Sequence, residues 1–87
     1  NIKTLNISYN IYIKELPNSV ENLIIRGDVN IDDKYIKNLN LIKLDCSFNT
    51  NIKTISCYKN LNTLIAKYYS GLNIDEIKKF NIKHLDI

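Results

Sequence analysis

The stretch Leu41-Ile42-Lys43-Leu44-Asp45-Cys46-Ser47-Phe48-Asn49 decides the fold, because it matches the repeat pattern L-x-x-L-x-L-x-x-N with apolar or small residues allowed at the L positions. The pattern recurs along the whole chain, with first positions at residues 2, 20, 41, 61 and 82, which lie 18, 21, 20 and 21 residues apart. The L positions are filled by Ile2, Leu5, Ile7; Val20, Leu23, Ile25; Leu41, Leu44, Cys46; Leu61, Leu64, Ala66; and Ile82, Leu85, Ile87. A period of about 20 residues indicates a solenoid whose repeats stack on one another.

Each repeat is predicted to contain one short strand. The second and third L positions are two residues apart, so in an extended strand they share the buried face while the residues between them face water. The chain must then return to start the next strand alongside, which predicts a parallel α/β solenoid with extended, 3-10 or short helical returns. The segments after Asn30 and Asn73 resemble each other, so long and short returns alternate. The apolar residues expected to close the core from the return side are Ile13, Leu16, Ile31, Ile36, Ile52, Ile55, Leu72, Ile74 and Ile77. We expect helical turns near residues 33–38 and 75–80, with N-caps at Asp32 or Asp33 and at Asn73 or Asp75.

The last position of the pattern is expected to hold a structural ladder formed by Asn10, Asp28 and Asn49. An asparagine amide there can hydrogen-bond the backbone of the tight turn and of the neighbouring repeat, groups that would otherwise be buried unpaired. In the fourth repeat Tyr69 takes this position, and the sequence does not decide whether Tyr69 or Phe80 is buried.

The repeat pattern resembles that of the leucine-rich-repeat family, over nearly the whole chain. Residues 16–23, Leu-Pro-Asn-Ser-Val-Glu-Asn-Leu, are similar to the junction of FNIP-type repeats, leucine-rich-repeat relatives abundant in amoebae and giant viruses. The resemblance implies short parallel strands on a concave face, returns on a convex face, and a non-catalytic module that binds proteins through the concave sheet.

The composition is that of one folded domain. The chain has 87 residues, 45% hydrophobic and 24% charged, with a net charge of +3, which excludes disorder and a disulfide-stapled mini-protein. We expect a single domain of about four and a half repeats, at 1–19, 20–40, 41–60, 61–81 and 82–87. Because both ends are as apolar as the middle, we expect further repeats in a longer array. No apolar run or signal peptide suggests a membrane, so an intracellular location is expected, the host cytoplasm if the protein is viral.

The sequence offers no catalytic or cofactor-binding motif, so no enzyme activity, cofactor or metal is expected. His84 should face outward beside Asp86, but a metal site usually needs three or four ligands. Cys46 and Cys57 are expected to be reduced and buried.

The outward strand face carries the candidate binding residues. Ile24 and Ile65 are apolar where water is expected, and aromatic residues follow the strand in three repeats, beside basic ones, as in protein interfaces. An isoleucine-rich composition explains the two isoleucines equally well. The candidate partner-binding residues are Tyr9, Ile24, Arg26, Asp45, Phe48, Ile65, Lys67 and Tyr68.

Three functions remain open from sequence. The first is protein binding, and the second is a structural spacer or a scaffold that self-associates through uncapped ends. The third is single-stranded nucleic-acid binding by Arg26, Lys43 and Lys67 with Tyr68. Asp45 and Asp86 interrupt that basic path, so nucleic acid is the least favoured partner.

Overall fold

Five short parallel strands form one sheet in the computed structural model, which describes residues 1–13, 15–27 and 30–87. The strands are β1 Thr4–Asn6, β2 Asn22–Ile24, β3 Lys43–Asp45, β4 Thr63–Ile65 and β5 His84–Asp86. Their order in the sheet is the order in the chain, so each strand pairs in parallel with its neighbours in sequence. The chain therefore coils as a solenoid of stacked repeats, with one strand per repeat.

The strand register is the one that the repeat pattern predicts. The central residues of the strands align in one column, Leu5, Leu23, Leu44, Leu64 and Leu85. The three inner leucines are fully buried, whereas Leu5 is half-buried and Leu85 is exposed. The outer leucines belong to strands with a neighbour on one side only, so less apolar surface is covered there.

Two of the returns contain a helical turn, as predicted. Helix α1 covers Asp33–Ile36 and helix α2 covers Ile74–Ile77. The Asp32 side chain accepts a hydrogen bond from the backbone N–H of Lys34, and the Asn73 side chain accepts one from Glu76, each at 3.1 Å. Both helices are shorter than expected, and α2 begins earlier because Asn73 is its N-cap. In the described part of the chain no helix has the length or the apolar character to cross a membrane.

The core lies between the sheet and the returns. Ile31 and Ile36 are fully buried in the second return and Ile52 in the third, as expected of residues that close the core. Two expectations were wrong. Ile74, the first residue of α2, is 52% exposed, and Ile77 at the end of the same helix is the residue that enters the core. Cys57 is exposed rather than buried.

Cys46 is fully buried, as expected. Burial, together with the carboxylate of the adjacent Asp45, raises the pKa of its thiol to about 12. Cys46 therefore fills an apolar position of the core as a neutral thiol.

The turns after β1 and β3 are held by asparagine side chains. Asn10 Oδ1 accepts hydrogen bonds from the backbone N–H of Tyr12 and Ile13, at 2.9 and 3.2 Å. Asn49 Oδ1 accepts from Ile52 in the same way, and its Nδ2 also donates to the carbonyl of Ile25 in the preceding repeat, at 3.0 Å. Asn49 thus joins two repeats, whereas Asn10 holds its own turn. Asp28, the third residue expected in this ladder, lies outside the described residues.

A carboxylate connects the second and third returns. Asp33 accepts hydrogen bonds from the backbone N–H of Lys53, at 3.0 Å, and of Thr54, at 3.4 Å. These N–H groups belong to a return without a helix, so no helical carbonyl is there to accept them. The helical return of one repeat therefore supplies an acceptor for the extended return of the next.

Replacing the buried Asn49 should lower the stability more than replacing the half-buried Asn10. The Asn49→Ala substitution leaves the carbonyl of Ile25 and the N–H of Ile52 without these partners in a buried region, so we expect about 3 kcal/mol less free energy of unfolding. For Asn10→Ala, whose turn lies next to solvent, we expect about 1 kcal/mol. Urea unfolding of both variants measures the difference, and equal losses would contradict this role for the Asn49 bond between repeats.

Candidate functional site

The outward face of the sheet has the predicted columns. Ile24, Asp45 and Ile65 pair in register across β2, β3 and β4, and Asn22, Lys43 and Thr63 pair beside them. Ile24 and Ile65 are half-buried, and with Arg26 they line a shallow depression on this face. The structure thus places Ile24 and Ile65 on either side of Asp45 in the middle of the outward face.

Asp45 belongs to the outward column but does not reach solvent, with only 3% of its surface exposed. Arg26 lies over it, and the Arg26 Nε donates to Asp45 Oδ2 at 2.7 Å. The other carboxylate oxygen accepts the backbone N–H of Ser47, at 3.2 Å. A ligand on this face would meet the half-exposed guanidinium of Arg26, and Asp45 would act by holding it in place.

A second ion pair lies on the same face, between Lys67 Nζ and Asp86 Oδ2 at 3.3 Å. Both side chains are exposed to water, so the pair contributes little to stability. The pair acts locally, because the carboxylate of Asp86 offsets the positive charge of Lys67.

Serine hydroxyls hold the backbone just after the strands. Ser8 Oγ accepts the N–H of Arg26, and Ser47 Oγ accepts the N–H of Lys67, each at 3.1 Å. Each serine therefore ties its repeat to the next at the position of a basic residue. These hydrogen bonds hold the backbone of Arg26 and Lys67 against the preceding repeat.

Aromatic residues follow the strands at a position where the backbone is left-handed. Tyr9, Phe48 and Tyr68 have φ values of 59°, 61° and 53°, and Gly27 has 81° at the same position of the second repeat. We call Tyr9, Phe48 and Tyr68 the aromatic row. The backbone remains paired through it, since the N–H groups of Tyr9, Gly27 and Phe48 donate to carbonyls of the next repeat at 2.9 to 3.1 Å.

The aromatic row is held in an unfavourable backbone conformation. A left-handed conformation costs a residue with a side chain roughly 1 to 2 kcal/mol, and glycine or asparagine adopts it far more readily. Three aromatic residues nevertheless occupy it in three repeats. Strain of this kind is concentrated at functional sites in proteins.

The rings of the row fall into two groups. Phe48 and Tyr68 stack with their centroids 5.1 Å apart and their planes 21° from parallel. The Tyr9 ring leans over Gly27, where a Cβ atom would clash with Tyr9 Cδ1 and Cε1. Gly27 thus suits the positive φ of this position, and its missing side chain leaves room for the Tyr9 ring.

A recess lies between these two groups of rings. We call it the aromatic recess, and it is lined by Tyr9, Gly27, Phe48, Thr50 and Tyr69. Apolar surface predominates in its lining. The recess joins residues of four different repeats.

Sequence reasoning missed Gly27, Thr50 and Tyr69 at this site. Tyr69 has a φ of 58° and is 87% exposed, so the tyrosine in the asparagine position contributes to the surface. Gly27 carried a usable signal, because it aligns with the aromatic residues of three other repeats. Nothing in the repeat pattern marked Thr50.

His84 and Asp86 are both exposed on β5, facing outward as predicted. Within the described ranges no three His, Cys, Asp or Glu side chains come together to hold a metal ion.

Relieving backbone strain at Tyr69 should stabilise the protein. Tyr69→Asn introduces a side chain that tolerates the left-handed conformation better than tyrosine does. We therefore expect the free energy of unfolding to rise by about 1 kcal/mol. Tyr12 is a matched control, because it is 86% exposed but is not among the residues with positive φ. Tyr12→Asn should leave stability within about 0.5 kcal/mol of the original. Urea unfolding midpoints compare the two, and equal effects would show that φ is not the cause.

A side chain at Gly27 should be costly in a way that depends on Tyr9. We expect Gly27→Ala to lower the free energy of unfolding by about 2 kcal/mol, from positive φ and from the clash with the ring. In a Tyr9→Asn background only the φ cost remains, about 1 kcal/mol. A double-mutant cycle by thermal or urea unfolding measures this coupling, and additive effects would mean that the ring does not rest on Gly27.

Comparisons with known proteins give no match: no protein-family model fits the chain, and neither a curated protein nor a solved structure is significantly similar to it.

Proposed function

We propose that the chain is a non-catalytic, leucine-rich-repeat-like module that binds a protein partner through the outward face of its sheet and the adjoining aromatic row. The observation that carries this proposal is the aromatic row itself, three exposed or half-exposed rings kept in a strained conformation beside the strands. A residue that served only the fold would be glycine or asparagine there. The retained rings are therefore explained by what they bind.

The surface has the chemistry of a protein interface. Aromatic residues and arginine supply most of the binding energy at interfaces, and apolar residues at the centre exclude water. Phe48 and Tyr68 form one exposed aromatic pair, and Arg26 and Ile24 lie on the strand side of the row. Of the residues predicted from sequence to bind a partner, Asp45 would act indirectly, as the support for Arg26.

The scaffold beneath the surface favours binding without rearrangement. Each strand is paired with its neighbours, and serine and asparagine side chains fix the turns that carry the rings. Side chains held in place before binding lose less conformational entropy on binding. The proposal thus accounts for rings with a strained backbone conformation on a backbone that is held by hydrogen bonds.

Nucleic acid is a weaker candidate because two of the three cations predicted to bind it, Arg26 and Lys67, each have a carboxylate partner. Arg26 pairs with Asp45 and Lys67 pairs with Asp86, so a phosphate at either cation would lie beside a carboxylate. Binding to phosphates also relies on several unpaired cations along the strand.

Removing rings of the row should weaken partner binding. We expect Phe48→Ala and Tyr68→Ala each to cost about 1 kcal/mol or more of binding free energy, about a fivefold loss of affinity. The control is Tyr35→Ala, which removes an exposed tyrosine from α1 on the return side. The measurement is quantitative affinity capture from extract of the source cell, followed by titration of the recovered protein. Equal recovery with the protein and with both row variants would overturn the proposal and favour a structural spacer.

A further inference from the structure

Beyond a protein partner in general, we infer that the depression on the outward strand face binds the carboxylate of an acidic side chain in that partner. The depression contains Ile24, Arg26 and Ile65, and we call it the strand-face depression. The inference rests on the proposed function and specifies which group of the partner the strands contact. Its basis is the hydrogen bonding of the depression, where acceptors are occupied and donors are free.

Three polar side chains of the strand-face depression already use their oxygen atoms as acceptors. Asp45 Oδ2 accepts from Arg26 Nε at 2.7 Å, and Asp45 Oδ1 accepts from the N–H of Ser47 at 3.2 Å. Asn6 Oδ1 accepts the N–H of Ser8 at 3.0 Å, and Ser8 Oγ accepts the N–H of Arg26 at 3.1 Å. A ligand that approached as a hydrogen-bond donor would therefore compete for oxygens that are in use.

The donors of the same depression are free among the described residues. The contact with Asp45 uses Arg26 Nε, which leaves the two terminal nitrogens of the guanidinium for a ligand. Lys43 Nζ and Asn6 Nδ2 also line the depression without an acceptor in the described part of the chain. A ligand group with two acceptor oxygens and a negative charge fits such a set of donors, because charge-assisted hydrogen bonds are the strong ones.

The buried carboxylate of Asp45 holds the guanidinium before any ligand binds. Asp45 is 3% exposed, and an unpaired charge at such a position is costly, so Arg26 stays paired with it. An arginine that is already fixed at Nε loses less conformational freedom when its terminal nitrogens bind a second carboxylate. Arg26 and Lys43 against Asp45 leave one net positive charge in the depression, which one carboxylate neutralises.

The apolar residues of the depression favour a carboxylate that belongs to a protein segment. Ile24 and Ile65 flank Asp45 in the same column, and apolar side chains next to the acidic residue of the partner would cover them. Asp45 keeps its negative charge close by, so it repels a carboxylate less than a phosphate monoester, which carries about −1.5 to −2 at pH 7. A nucleic-acid backbone would need further cations, and Asp86 offsets the charge of Lys67.

The test is an NMR titration of the isotope-labelled chain with acetyl-Leu-Glu-Leu-amide and acetyl-Leu-Gln-Leu-amide, two peptides that differ by one charge. A short oligothymidylate is titrated under the same conditions. Arg26→Lys keeps the charge that pairs with Asp45 but loses the planar fork, so it separates arginine recognition from net charge. Lys43→Gln removes a cation that has no carboxylate partner among the described residues. The matched control, Lys37→Gln, removes an exposed cation at the C-cap of α1, and urea unfolding verifies the fold of each variant.

We expect saturable binding of the glutamate peptide with an affinity about fivefold or more above that of the glutamine peptide. Arg26→Lys and Lys43→Gln should each reduce this preference, and Lys37→Gln should keep it. Equal affinity for the two peptides, or a preference that either strand-face variant leaves unchanged, would overturn the inference. Tighter binding of the oligothymidylate, weakened by salt, would also overturn it and indicate nucleic acid.

The two proposals can fail separately. If the glutamate peptide is not preferred while capture from cell extract still depends on Phe48 and Tyr68, the inference about the strand-face depression alone is wrong. If the preference and the capture are both absent, the proposed function is wrong as well.

Discussion

Parallel pairing of every strand at one fixed register is the constraint on which the rest of the structure depends. The column of leucines at the strand centres sets this register, because a shift by one residue would turn Asp45 and its equivalents into the core and the leucines into water. With the register fixed, residues at equal positions of successive repeats must lie side by side. The row of rings, the serine contacts and the asparagine turns are all consequences of that alignment.

The parts of the structure that repeat could be predicted from sequence, since a period of about 20 residues reports on burial. The repeat pattern predicted the five strands and their register, and the N-cap residues predicted the two helical returns. The conformations of surface side chains could not be obtained in this way. Hydropathy does not tell whether Arg26 covers Asp45, and it does not give the sign of φ at Phe48. Ile74 was misplaced for a related reason, because hydropathy does not tell which of the two isoleucines of a one-turn helix enters the core.

The site and the fold place opposite demands on the same turn. The turn after each strand needs a left-handed residue to bring the chain round, which the fold alone would fill with glycine or asparagine. Gly27 meets this demand, and its missing side chain makes room for the Tyr9 ring. At the other repeats the rings occupy the turn and the buried columns must compensate for the strain. Under the proposed function, stability and binding would therefore be coupled at the positions of the aromatic row.

The alternation of helical and extended returns means that the structural unit of this solenoid is a pair of repeats. The hydroxyl contacts of Ser8 and Ser47 recur after two repeats, and so do the asparagine turns at Asn10 and Asn49 and the helical returns. Asp33 on a helical return meets backbone N–H groups of an extended one, so the contact requires unlike neighbours. Duplication or deletion of one repeat would place two helical or two extended returns next to each other. A carboxylate equivalent to Asp33 would then have no extended return beside it. An array of this kind should therefore grow and shrink during evolution in steps of about 40 residues rather than 20.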